Sequence, residues 1–157
     1  MRDFLIKLFA TGFGTGLSPF IPGTTGTVPG LIIAWLLFPL GVPYQVISSI
    51  FVTAIGVWIA TEAEHFFGHD GKPIVIDEVA GIMVSLCFVP TAPFDVMGKY
   101  YVAGFVIFRI LDIFKPFPGR YWERTLPRGW GIMGDDFACG VYTNLILQVM
   151  LYLGVWM

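Results

Sequence analysis

Residues 28–61 read VPGLIIAWLLFPLGVPYQVISSIFVTAIGVWIAT, without one charged side chain. Two apolar runs, 28–40 and 44–61, flank Pro39-Leu40-Gly41-Val42-Pro43. Proline fixes its own φ and lacks an N–H, and glycine accepts any turn geometry, so this pentapeptide reads as a tight turn. The stretch is therefore a helical hairpin, free to enter hydrocarbon because it brings no ion with it. Working outward, the charge-free region reaches from Lys7 to Glu62, and a second one follows Asp136. Further apolar segments lie at 79–89, 100–114 and 137–156, and Val89-Pro90-Thr91-Ala92-Pro93 supplies a second turn. The expected fold is all-α: a polytopic membrane helix bundle of about five transmembrane or re-entrant segments, in one domain over 1–157. A bilayer core of about 30 Å takes ~20 helical residues. The first and third segments are short of that, so each is either extended by its flanks or packed inside the bundle.

Composition agrees. Of the 157 residues 56% are hydrophobic and 13% charged, against about 45–50% apolar usage in soluble domains. No basic stripe points to nucleic acid. The opening residues, MRDFLIKLFATGFGTG, place bases before an apolar patch, but glycines interrupt it and no small-residue cleavage site follows, so no removable signal peptide is expected. Cys87 and Cys139 both sit in apolar segments, which suits free buried thiols better than a disulfide. Two hairpins return the chain to its starting side. Of the eleven acidic and nine basic residues, all but Asp95 and Lys99 then share one face. The positive-inside rule makes that face cytoplasmic and puts the C-terminus outside.

Four constellations on this face can carry chemistry. The first is the run from Gly12 to Pro19, continuing as Pro22-Gly23-Thr24-Thr25-Gly26-Thr27. Glycines and hydroxyls before a span let backbone N–H groups approach an anion; the alternative is a re-entrant or helix-capping loop. It is no Walker A motif, because no Gly-Lys-Ser/Thr follows. The second is His69-Asp70 with Asp77-Glu78, whose carboxylates either cap a helix N-terminus or hold a hard cation. The third is Arg109, Asp112 and Lys115, spaced by three along one helix face. These form either a structural ion pair or a phosphate-binding pair beside a metal-binding or proton-accepting Asp. The fourth is Gly129-Trp130-Gly131-Ile132-Met133-Gly134-Asp135-Asp136, where a paired Asp again either caps or meets a ligand. Glu62, Glu64 and His65 read as a solvated helix end, with a metal-binding Glu62, His65, His69 stripe as the alternative, and Arg120, Glu123, Arg124 and Arg128 as headgroup or topology residues.

The motifs ATGFGTGLSPFIPGTTGT, HDGKPIVIDEVAG, FRILDIFKPFP and GWGIMGDDFACGV, in this order, resemble the phosphatidylglycerophosphatase A family over about 10–141. The resemblance implies a multi-pass enzyme of the bacterial inner membrane with its active site facing the cytoplasm. It would depend on Mg2+ and remove the terminal phosphate of phosphatidylglycerophosphate to give phosphatidylglycerol. Carried over by position, the metal ligands fall on Asp77, Glu78, Asp135 and Asp136. Substrate binding falls on Gly23, Thr24, Gly26, Arg109 and Lys115, and catalysis on Asp112, Lys115 and Asp136. Its partners would be that lipid substrate and membrane lipids, with no nucleic acid.

Other phosphatase chemistries lack their residues. Neither cysteine has an Arg six positions on, and no D-x-D-x-T/V, K-x6-R-P or S-G-H signature is present. Metal-activated water is the simple route left. A phosphatase for another lipid phosphate, such as phosphatidic acid, is the near rival. A membrane transporter is the distant one, since it needs ionisable groups spread through bilayer depth rather than crowded at one end.

Overall fold

A computed structural model describes residues 1–156. It is all-helical, with no strand among the described residues. In chain order the helices are α1 (Arg2–Ala10), α2 (Pro22–Leu37), α3 (Val42–Phe67), α4 (Ile76–Leu86), α5 (Phe94–Phe114), α6 (Gly119–Thr125) and α7 (Gly129–Tyr152). Short 3-10 turns occupy Thr15–Leu17 and Phe38–Leu40. Each of the five apolar segments falls on a helix, and both proline-rich turns lie between helices.

The two short segments resolve in opposite ways. The first is extended by its flank: α2 begins at Pro22, with proline in the opening turn where its missing N–H costs nothing. The third is packed inside: nine of the eleven residues of α4 are buried, and eleven residues rise only about 16 Å. Helix α4 is thus the core around which the others stand, and it does not cross about 30 Å of hydrocarbon by itself. Two helices are long and apolar enough to cross a membrane, Pro22–Leu40 with its terminal 3-10 turn and Val42–Phe67. Helices α5 and α7 have the length, but carry Asp95, Lys99, Arg109 and Asp112, and Asp135 and Asp136.

Close backbone approach sets the centre of the bundle. A Cβ on Gly140 of α7 would stand 2.6 Å from the Gly81 carbonyl oxygen of α4, and one on Gly81 would meet the Phe108 ring at 2.6 Å. Small residues on both helices let the two backbones touch, as in membrane helix pairs. That contact lies one turn from Asp77 and Asp136, so it brings the two acids together. Because consecutive helices run in alternating directions, the starts of α2, α4 and α7 and the ends of α3 and α5 meet at one end. Helix α1 braces that end: Arg2 reaches Glu62 at 2.5 Å and Lys7 sits 4.4 Å over the Phe66 ring. Asp95 and Lys99 face each other at 3.8 Å on the opposite end, exposed. Cys87 and Cys139 are both free and buried, as their apolar settings predict.

Candidate active site

A cavity of about 470 Å3 opens at the polar end. Its walls are Gly23 and Thr24 from α2, Asp70 and Lys72 from the α3–α4 loop, and Asp77 and Glu78 from α4. Arg109 and Asp112 of α5, Lys115 beyond it, and Asp135 and Asp136 of α7 complete them. All four constellations therefore send residues to one cavity, the third in full.

Capping does not explain the carboxylates. The N-cap of α4 is Val75 and no side chain bonds the open N–H groups there. Helix α7 starts at Gly129, so Asp135 and Asp136 stand in its second turn, beyond the orphan donors. Instead, Asp77 Oδ1, Glu78 Oε2 and Asp136 Oδ2 are buried without any hydrogen-bond partner. A buried polar atom left unpaired costs about 1–3 kcal/mol, more for a charged one. Such atoms clustered in one cavity mark capacity held for a ligand.

Oxygens of Asp77, Glu78 and Asp136 lie within 4.8 Å of one another, and so do oxygens of Asp112, Asp135 and Asp136. The two sets meet at Asp136. A donor set of carboxylate oxygens alone suits a hard cation such as Mg2+. All four paired acids stand ahead of the apolar stretches 79–89 and 137–156. Burial, then the charge of Glu78, pushes Asp77 well above the usual carboxylate range. Burial, then the charges of Asp112 and Asp77, does the same to Asp136. Burial lifts Glu78 to about 7 against the pull of Arg109, and Asp135 to about 6 against that of Lys115. The cavity is short of positive charge, which is the electrostatic condition a cation would meet.

Two of its cations, Arg109 and Lys115, are already engaged. Arg109 Nη1 lies 2.6 Å from Asp112 Oδ2 and 3.8 Å from Glu78 Oε1, so the structural ion pair is real. Yet neither its Nε nor its Nη1 makes an aligned hydrogen bond, leaving donors for an anion. Lys115 Nζ holds Asp135 at 2.6 Å and Glu123 at 2.9 Å. Burial would lower its pKa, but those two carboxylates outweigh burial and raise it, so it stays charged. Gly23 packs so tightly here that a Cβ would lie 2.5 Å from Glu78 Oε1 and 2.8 Å from Arg109 Nη2.

Some expected site residues lie elsewhere. Gly26 is buried against Val75, where a Cβ would stand 2.4 Å from that side chain, and it does not reach the cavity. The run from Gly12 to Pro19 also stays outside. The Thr11 and Thr15 hydroxyls bond neighbouring carbonyls, Gly16 abuts the Pro73 carbonyl, and Thr25 Oγ1 donates to Thr15 at 2.8 Å. This loop braces the chain leading into α4 and lines no part of the cavity. Glu123 is no headgroup residue but a partner of Lys115. Glu62 pairs with Arg2, and Glu64 with His69 in a very close contact. Asp70 lines the cavity as a member of the second constellation, while Lys72 was not singled out; its one signal was its place in the same short polar loop.

A helix-bounded acidic cavity with an unsaturated carboxylate set and cations at its wall belongs, as a class, with the hydrolases of phosphate esters. The particular family follows from comparison: the model described as Phosphatidylglycerophosphatase A matches residues 8–151, and the chain belongs to that family. A Phosphatidylglycerophosphatase A of Escherichia coli K12 is 40% identical over 143 residues, covering 89% of this chain and 80% of that one. The same-named protein of Haemophilus influenzae is 34% identical, covering 97% and 90%. A protein of Bacteroides thetaiotaomicron, provisionally named phosphatidylinositol-3-phosphatase, is 36% identical, covering 94% of each. No solved structure matches the chain.

Proposed function

We propose that the protein hydrolyses the terminal phosphate of phosphatidylglycerophosphate to phosphatidylglycerol, with Mg2+ held by the cavity acids. One observation carries the reading: three buried carboxylate oxygens without partners share a cavity in a chain of this family. Asp77, Glu78 and Asp136 would hold one cation, and Asp112, Asp135 and Asp136 are grouped well enough to hold a second. When bound, Mg2+ supplies neutralisation of phosphoryl charge and a more acidic attacking water. The remaining work is the chain's own. The N-terminus of α2, at Gly23 and Thr24, offers free N–H groups and the positive end of its dipole to a phosphate. Arg109 offers Nε beside them. Asp112, at the cavity edge against Arg109, accepts the proton of the attacking water. Lys115, kept charged by Asp135 and Glu123, fixes Asp135 and keeps a positive charge at the wall.

We place the protein in the bacterial inner membrane as a multi-pass bundle, with the polar end at the cytoplasmic headgroup level. Eight of the nine Lys and Arg lie at that end, which supports the orientation. The crowding of ionisable groups at one end, not through the depth of the bundle, favours an interfacial enzyme over a transporter.

The test presents detergent-solubilised protein with phosphatidylglycerophosphate, phosphatidic acid, phosphatidylinositol 3-phosphate and a lipid-free phosphomonoester, with Mg2+ or EDTA. Phosphate release that is fastest from phosphatidylglycerophosphate and lost in EDTA is expected. Undiminished release in EDTA refutes the cation, and equal rates on all four refute the substrate.

A further inference from the structure

Thr24 of α2 and Arg109 of α5 both line the cavity, and the same two helices continue into the apolar part of the bundle. On α2, Val28, Ile32 and Trp35 follow Thr24 at four, eight and eleven residues. On α5, Phe105, Val102 and Tyr101 precede Arg109 at four, seven and eight. These spacings keep each set on one stripe of its helix. Together the six side chains wall a groove of about 380 Å3. At a rise of about 1.5 Å per residue, it starts about 6 Å below the polar residues and runs about another 10 Å. That is the depth of an acyl chain beneath a headgroup, in a leaflet about 15 Å thick. Its outer edge is open, with Val28, Ile32 and Val102 all exposed. Its far end is closed: Trp35 packs edge-on against Tyr101 and Phe94, with ring centroids 5.2 and 5.0 Å apart. A polar site at one end, an aromatic floor at the other and an open flank make a bounded seat rather than a chance crevice.

We propose that this groove receives an acyl chain of the lipid substrate, so that the lipid slides in from the bilayer between α2 and α5. The assignment rests on the lipid phosphatase reading above. A larger apolar cavity of about 480 Å3 lies between α3 and α7. It is lined from α3, α4 and α7 and by no residue of α2 or α5, so a chain seated there would not lie beneath Thr24 and Arg109.

Ile32→Trp and Val102→Trp fill the groove at exposed positions, and Val141→Trp fills the α3–α7 cavity as a control. Each is assayed on dioleoyl phosphatidylglycerophosphate and on its soluble dihexanoyl analogue. Both groove variants are expected to raise KM for the long-chain lipid about tenfold. They should leave the dihexanoyl kinetics and both kcat values unchanged, and the control should resemble wild type. An equal rise in KM for the two substrates in a variant that stays active, no effect, or an effect confined to Val141→Trp overturns the groove while wild-type activity upholds the phosphatase. A wild-type protein inactive on both lipids overturns the phosphatase reading and the groove with it. Should a groove variant lose activity on both substrates, crosslinking of wild type by an acyl-chain diazirine analogue decides. Labelling concentrated on peptides of α2 and α5 supports the groove, and labelling concentrated on α3 and α7 refutes it.

Discussion

The two ends of the bundle bury polar side chains for opposite purposes. At the far end, Gln45 Nε2 donates to the carbonyls of Phe38 and Val89 at 3.3 Å each, and its Oε1 accepts the Phe88 N–H at 2.7 Å. Asn144 Nδ2 donates to the Ser85 and Cys87 carbonyls at 3.1 and 2.5 Å. Asn144 supplies partners that the terminal carbonyls of the short α4 lack, and Gln45 ties the turn after α4 to α3. At the near end, Asp77, Glu78 and Asp136 each keep a buried oxygen unpaired, and Arg109 keeps Nε and Nη1. Among the described residues the one other such atom is the Tyr101 hydroxyl, in the groove wall. Saturated polar groups hold α4 in place, and unsaturated ones are held in reserve by the fold they strain.

The sharpest break in this comparison comes from removing a reserved charge. Asp136→Asn and Asp77→Asn should lower phosphate release by at least about 100-fold, the scale of losing a ligand or charge stabiliser at a reaction centre. Their thermal midpoints in EDTA should stay level or rise, because an amide replaces a buried, uncompensated carboxylate. A variant with normal turnover and a lowered midpoint would return the residue to a structural role.

The opposite signature is expected from the far end. Asn144→Leu strips donors from two carbonyls at the end of α4 and should cost about 1–3 kcal/mol of stability, read by thermal or denaturant unfolding. Phosphate release per folded molecule should not change. A variant that loses turnover while keeping its stability would erase the distinction between the ends.

How much of this was legible depends on the range of the contacts involved. The hairpin of α2 and α3 was readable because a charge-free run and a Pro-Gly turn are local signals. So were the acids of α4 and α7, since adjacent carboxylates at a membrane boundary are costly without a partner. The burial of α4 was not readable beyond its short length, because it follows from Gly81 meeting Gly140 across the bundle. Nor was the pairing of Lys115 with Glu123, eight residues apart across a turn, which no helical spacing announces. Gly23 and Gly26 looked alike in sequence. Three residues of helix turn one toward Glu78 and the other toward Val75, and that separates them.

The smallest expected effect probes the reserve without a substitution. The folded values of Glu78, about 7, and Asp135, about 6, lie above the ordinary ones of 4.5 and 3.8. Folding therefore favours their protonated forms. That contribution is fully present below the ordinary values and is lost as pH rises through about 6 and about 7. In EDTA the thermal midpoint should fall by about 2–4 °C for each kcal/mol so lost between pH 5.5 and 8. A cation between the carboxylates favours the ionised forms instead, so saturating Mg2+ should flatten or reverse the slope. Asn144→Leu, at the far end, should shift both curves down without changing their shape. A slope that Mg2+ leaves untouched would mean that the unpaired oxygens are not its ligands.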